Sequence, residues 1–334
     1  MVRITHLVVG DPHYKEGNTE ETNKMEKEVD RLIDEIQPDV VVILGDTIDR
    51  YNRVAVCRSE EWLIRLIQKV RVILLIGNHD RQDNTDYQSR VHPYLGISVS
   101  PSITVVDKTY REDGIVYVPY VPPGRFEEAV GDTTGASLIY CHQSFIGSLD
   151  PLSADSSVNL KCKVISGHIH KRSMIAKDKN VSVNLKSRWD VYYPGAPLCN
   201  NFGDEWERFC CSVVIEDGKV SVTEHEIHVP IRYSLTVSPD YDTETQDLIN
   251  MADKYGRIDI KAPALSDCNI LQGSPSIRAA KKRGAQVHLF PQQLAISPVP
   301  HETESFLEAL VANLRNDMGD EAGEVISLLM TKPL

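Results

Sequence analysis

Five short apolar runs, each followed at once by a polar cluster, constrain this chain more than any other feature. The runs occupy residues 5–9, 40–44, 72–76, 137–140 and 163–165. After them come Asp11, Pro12 and His13; Gly45, Asp46, Thr47, Ile48 and Asp49; Gly77, Asn78, His79 and Asp80; His142; and Gly167, His168, Ile169 and His170. Runs this rich in β-branched residues, with no polar alternation, read as strands buried on both faces. Helical patterns lie between the first of them. Residues 19–36 put Met25, Val29, Leu32, Ile33 and Ile36 on one face, with Asn18 and Glu21 as the expected cap and Pro38 as the stop. Residues 59–70 do the same with Trp62, Leu63, Leu66, Ile67 and Val70. Alternating strands and helices imply an α/β sheet, in which ligands collect at the carboxyl ends of strands. All five polar clusters stand at such an end, so they are expected at one sheet edge.

Further along, residues 181–185, 191–193, 209–215 and 219–226 are strand-like pieces joined by turns, expected to form a second sheet on the first. After Pro230 a strand at 233–237, a helix at 243–255, a strand at 257–261, a helix at 275–283 and a strand at 286–289 suggest a small separate α/β unit. Residues 302–331 carry two amphipathic helices around Gly319, marked by Phe306, Leu307, Leu310 and Leu314, then by Val325, Ile326, Leu328 and Leu329. The expected division is 1–232, 233–298 and 299–334.

The clusters carry the chemistry. Asp11, His13, Asp46, Asn78, His142, His168 and His170 offer seven oxygen and nitrogen donors, more than one ion needs. They suit two ions sharing a bridging carboxylate. Such a pair, roughly 3.5–4 Å apart, can clamp a phosphate, generate hydroxide near neutral pH and stabilise a leaving oxygen. Gly45, Gly77 and Gly167 precede donors where the chain must turn sharply. His6, His92, His225, His228, His288 and His301 read as structural.

Composition narrows the setting. The longest apolar runs have five residues, against the ~20 that a membrane-spanning helix needs. Seven cysteines, without paired metal-ligand spacing, point to a reducing compartment and packed thiols. Residues 1–5 run straight into a strand, so no signal peptide is expected and the protein is placed in the cytoplasm or with the nucleoid or nucleus. A net charge of −12 excludes a nucleic-acid binder with a basic surface throughout. Locally the balance differs. Residues 161–190 hold eight Lys and Arg against two Asp, whereas 302–324 hold seven acids and only Arg315. Arg278, Lys281, Lys282 and Arg283 form a further basic cluster on one predicted helix. These stretches read either as solvated faces or as approaches for a nucleic-acid backbone.

The series D-x-H, G-D-x-x-D, G-N-H-D, a lone His and G-H-x-H, in this order over about residues 1–230, resembles the calcineurin-like metallophosphoesterases. The resemblance implies an αββα β-sandwich flanked by helices. It implies one ion on Asp11, His13 and His170, a second on Asn78, His142 and His168, and Asp46 as the bridge. His79 would be the catalytic histidine beside the scissile phosphate and Asp80 would hold its ring. Asp49 would be a supporting or structural carboxylate, and Arg50 either a phosphate contact or a surface ion pair. The stretch Tyr193, Pro194, Gly195, Ala196 and Pro197, then residues 201–205, then Gly218, Lys219 and Val220, is similar to SbcD-type repair exonucleases and short phage recombination nucleases. That similarity implies a manganese-dependent nuclease acting on duplex DNA ends, with a small α/β cap and C-terminal helices docked on an SbcC-type coiled-coil ATPase. A homodimer is also compatible. The alternative is a stand-alone phosphodiesterase or phosphatase of the same fold, acting on nucleotides or other small molecules. A scaffold that has lost catalysis is disfavoured because the donor set is intact.

Overall fold

The first three runs form strands β1 (Arg3–Val9), β2 (Val40–Ile43) and β3 (Arg71–Leu75). The computed structural model describes residues 3–84, 91–148, 162–175, 189–200, 207–237, 246, 249–250 and 256–291. Successive side chains of a strand point to opposite faces, and here both faces are dry. Leu7, Val9, Val41, Ile43, Val72 and Leu74 meet Met25, Val29 and Leu32 of helix α1 (Thr19–Ile36) and Trp62, Leu63 and Leu66 of α2 (Arg53–Ile67). The alternate residues Val8, Val42, Leu44, Ile73 and Leu75 meet Tyr117, Tyr140, Ile165 and Tyr192 from across the sandwich.

The remaining strands of this sandwich are β4 (Ile103–Val106), β5 (Tyr110–Glu112), β6 (Ile115–Val118), β7 (Leu138–Cys141), β8 (Lys163–Ser166), β9 (Ser173–Ile175), β10 (Val191–Tyr193), β11 (Arg208–Glu216) and β12 (Lys219–Ile227). Among the described residues two six-stranded sheets result, ordered β12-β11-β1-β2-β3-β4 and β5-β6-β7-β8-β10-β9. The inner strands are parallel, and β11, β12, β5 and β9 add antiparallel edges. The short helix α3 (Phe126–Val130) covers the outer face of the second sheet through Phe126 and Val130. This is the expected mixed α/β sandwich flanked by helices.

Several details differ from the expectations. Residues 209–226 do not open a second sheet; β11 pairs along β1 and extends the first one. The second sheet instead takes β7 and β8, so the polar clusters come from two sheets, three from one and two from the other. Helix α2 begins at Arg53, well before residue 59, because the Asn52 side chain accepts from the Val54 and Ala55 N–H groups and starts it there. Asn18 sits at the cap position of α1 but makes no side-chain cap bond. Its amide donates to the His13 carbonyl at 2.9 Å and accepts from Lys15 N–H at 3.0 Å, which ties it to the donor loop.

A third sheet, β13 (Arg232–Thr236), β14 (Arg257–Ala262) and β15 (Gln286–Pro291), is parallel and has its own apolar core. Helices Leu265–Gln272 and Pro275–Arg283 pack on it, the first unread in the sequence. The expected strand at 181–185, most of the helix at 243–255, residues 201–205, Lys161, Lys177, Lys179, Lys186 and Arg188, and the whole of 302–331 lie outside the described residues. Among the described residues no helix is long and apolar enough to cross a membrane.

Candidate metal centre

The donors reach one another through strained turns. His13, Asp46 and His168 have φ values of 48°, 44° and 76°, the left-handed region that costs a non-glycine residue on the order of 1 kcal/mol or more. Neighbouring glycines are required for the close approach. A Cβ on Gly77 would lie 2.1 Å from Asp46 Oδ1, and one on Gly167 would lie 2.4 Å from Asp11 Oδ1.

Two donor sets form. In the first, His13 Nε2 and His170 Nε2 face each other at 2.9 Å beside Asp11. Asp11 Oδ2 accepts from the His168 N–H at 2.8 Å, while its buried Oδ1 has no hydrogen-bond partner. In the second, Asn78 Oδ1 lies 2.9 Å from His168 Nδ1 and 3.1 Å from His142 Nε2. Between the sets stands Asp46. Its Oδ1 accepts from the His79 N–H at 2.8 Å, and its Oδ2 lies 3.2 Å from His142 Nε2 and 3.7 Å from His13 Nε2.

These contacts fit divalent cations. His142 Nδ1 lies 2.8 Å from the Leu44 carbonyl oxygen, which can only accept, so the proton sits on Nδ1 and Nε2 is a lone pair. Nε2, Asn78 Oδ1 and Asp46 Oδ2 are then three electron-rich atoms converging with no hydrogen between them. A positive charge is demanded there, a second proton on His142 or a metal ion. Burial alone would lower the His142 ring, but the Asp46 and Asp11 carboxylates override it and push it up to about 9. Burial likewise works against the Asp46 carboxylate, but the rings of His142, His13 and His79 hold it well below the usual carboxylate range. Burial pushes Asp11 up to about 7 and holds the His13 ring well below its ordinary value. A bound dication would reverse both of those penalties.

His79 sits at the rim, with its side chain 41% exposed and Nε2 4.0 Å from Asp46 Oδ2. Its Nδ1 is held by the main-chain oxygen of Asp49. The expected support from Asp80 is therefore a correction. The Asp80 carboxylate is buried and accepts from Ile48 N–H at 3.1 Å and Gly77 N–H at 2.9 Å, pinning the two donor loops together. Burial, then the nearby Asp46 charge, pushes Asp80 up to about 7. Asp49 Oδ1 lies 3.6 Å from His13 Nδ1 and 3.7 Å from Lys15 Nζ. Arg50 is exposed.

Sequence reasoning missed Tyr120. Its ring lies 5.8 Å from His168 and 6.2 Å from His142, centroid to centroid, walling the second set. It follows β6 without Gly, Asp, His or Asn beside it, so no polar cluster marked that strand end. Two of the described residues of the basic stretch are engaged within the fold. Lys163 lies over the Trp189 ring at 4.2 Å, and Arg172 pairs with Glu224 at 3.0 Å and covers Phe209.

The chain is similar to several known proteins. "Putative phosphoesterase 078R" of Invertebrate iridescent virus 3 is 26% identical over 249 residues, 68% of this chain and 67% of that protein. "Putative phosphoesterase 244L" of Invertebrate iridescent virus 6 is 27% identical over 232 residues, 64% of this chain and 77% of that one. Among solved structures, the Pseudomonas putida nuclease MPE is 15% identical, covers 65% of this chain and 87% of its own, and has a TM-score of 0.33. The phosphoesterase Yfce of E. coli is 16% identical, with 67% and 100% covered and a TM-score of 0.32. The family model for "Calcineurin-like phosphoesterase" matches residues 4–172, an interval that contains all seven donors and His79. The chain belongs to the calcineurin-like phosphoesterase family, hydrolases of phosphate esters that use divalent metals.

Proposed function

We propose that this phosphoesterase is a manganese-dependent DNA nuclease, the hydrolytic subunit of an SbcCD-type recombination complex. The observation that carries phosphodiester hydrolysis is the convergence on Asp46 Oδ2 of His142 from one donor set, His13 from the other and His79 from the rim. Asp11, His13 and His170 would hold one ion and Asn78, His142 and His168 the second, with Asp46 shared. Bound there, the ions supply Lewis acidity toward the phosphate and acidify water. His79 moves the proton. Because the Asp49 carbonyl takes the Nδ1 hydrogen, Nε2 is the nitrogen that faces the site. With the ring as an imidazolium, Nε2 would pass its proton to the departing ester oxygen and be left as a lone pair.

DNA as the substrate is supported by the helix Pro275–Arg283, where Arg278, Lys281 and Lys282 are exposed. The SbcC-type ATPase partner is supported by the acid-rich, leucine-striped sequence at 302–331, which suits helix-in-groove docking on a basic surface. The proposed division at 232 and 298 follows the same order of parts. Manganese-dependent cleavage of duplex DNA ends, measured beside bis-nitrophenyl phosphate, tests the reading. Truncation after residue 300 should abolish ATP-stimulated duplex cutting and co-purification with the ATPase, while sparing the small diester. Turnover of nucleotides with no action on duplex DNA would replace this reading by that of a small-molecule phosphodiesterase.

A further inference from the structure

The stretch Tyr193, Pro194, Gly195, Ala196 and Pro197 supplies no donor, yet it lies between two donor loops. On one side is Gly10, the residue before Asp11. A Cβ on Gly10 would come within 1.9 Å of the Gly195 carbonyl oxygen, so main chain rests on main chain there. On the other side, Ala196 N–H donates to the His170 carbonyl at 3.0 Å. A Cβ on Gly195, whose φ is 82°, would meet that same oxygen at 2.8 Å. The stretch is thus a strap wedged between the Asp11 turn and the His170 turn.

Beneath it lies Arg208, the first residue of β11, only 3% exposed. Its Nη1 donates to the His170 carbonyl at 3.3 Å and to the Ala196 carbonyl at 3.2 Å. Its Nε donates to Cys199 Sγ at 3.3 Å. A guanidinium keeps its charge and presents its donors as a rigid fork. One side chain therefore fastens a donor residue and the strap at once, with charge-assisted bonds, which are stronger than neutral ones. The second donor set has a different anchor, the Leu44 carbonyl on His142.

We infer that Arg208 is a positioning residue for the first donor set, fixing His170 against Asp11 through the Gly195–Ala196 strap. The inference rests on the two-ion reading above. Its test is a manganese titration of the full-length chain after chelation, followed by calorimetry and by electron paramagnetic resonance, with the melting midpoint of the metal-free protein recorded in parallel. Wild type should bind two ions. Arg208→Met should keep one at wild-type affinity and bind the other on the order of 10–100-fold more weakly, the range for losing a residue that orients a ligand. Arg208→Lys, which retains charge without the fork, should recover part of that loss.

Combining Arg208→Met with Asp11→Asn should cost no more manganese than Asp11→Asn alone. Combining it with Asn78→Ala should weaken both ions. Arg208→Lys, the milder change, serves if Arg208→Met does not fold, and should still show the one-ion defect in reduced size. Two ions at wild-type affinity in these variants, or equal weakening of both, overturns the role of Arg208. A wild-type chain that does not bind two ions overturns the two-ion reading itself.

Discussion

Strands β2 and β14 are both parallel and both central in their sheets, but they are buried differently. Every residue of β2 is buried, with helices on one side and the second sheet on the other. In β14 only Ile258, Ile260 and Ala262 are buried, while Arg257 and Asp259 are half-exposed and Lys261 is exposed. A strand gripped on both faces cannot shift, and its carboxyl end holds the following residues to a fixed position. Asp46 follows β2 with a φ of 44°, the left-handed region that non-glycine residues seldom adopt. A strand gripped on one face is free to present its other face to solvent or to a second molecule. Precision lies in the sandwich, and the third sheet offers surface.

The largest expected effect tests the precise end. Asp46→Ala should abolish hydrolysis and lower bound metal, because both donor sets lose the oxygen they share; metal analysis showing two ions still bound would break the assignment. His79→Ala should cut turnover of a small diester on the order of 10²-fold or more with metal content unchanged. Loss of metal in that variant would make His79 a ligand instead of a proton donor.

Matched core truncations compare the two regions directly. Ile43→Ala and Ile260→Ala each leave a cavity and should cost about 2–5 kcal/mol within their own unit. Calorimetry should show Ile43→Ala lowering the main transition and catalysis together. Ile260→Ala should lower only the transition of the third sheet and spare hydrolysis of bis-nitrophenyl phosphate. If Ile260→Ala also takes catalysis, the two regions do not divide precision and surface between them.

The smallest effect is a pH slope of the sandwich. His6, on β1, is buried with Nδ1 3.0 Å from the Tyr140 hydroxyl across the sheets. Burial lowers its ring to about 4. The unfolded chain, with an ordinary histidine, binds that proton first, so this contribution to stability is complete above about pH 6.5. It falls away as pH drops toward 4, by up to about 3 kcal/mol. Urea unfolding between pH 7.5 and 4 should show the slope, and His6→Gln should flatten it.

Much of the site was legible because it is written locally. Apolar runs without alternation, helix periodicity over 19–36 and donors directly after strands depend only on neighbours in sequence. The identity of Asp11, His13, Asp46, Asn78, His142, His168 and His170 as atoms able to hold metal is likewise a property of the side chains themselves. Residues whose partners are distant were not legible. Asn18 reads as a cap because Ser, Thr, Asp and Asn usually cap, but the His13 carbonyl competes for its amide. Asp80 stands next to His79 in sequence, yet its oxygens meet Ile48 and Gly77 N–H groups, and the Asp49 carbonyl takes the ring.

Local patterning was enough to mark which strands are buried on both sides, where they end and which donors follow them. Long-range packing divides those strands between two sheets, sets β11 beside β1, and puts His13, Asp46 and His168 in left-handed backbone. It alone placed Tyr120 against His142 and His168, and Arg208 beneath His170. The physical reason is range. Periodicity and turn preference act over a few residues, whereas sheet pairing and the packing of one turn on another join residues as far apart as Asp11 and His168.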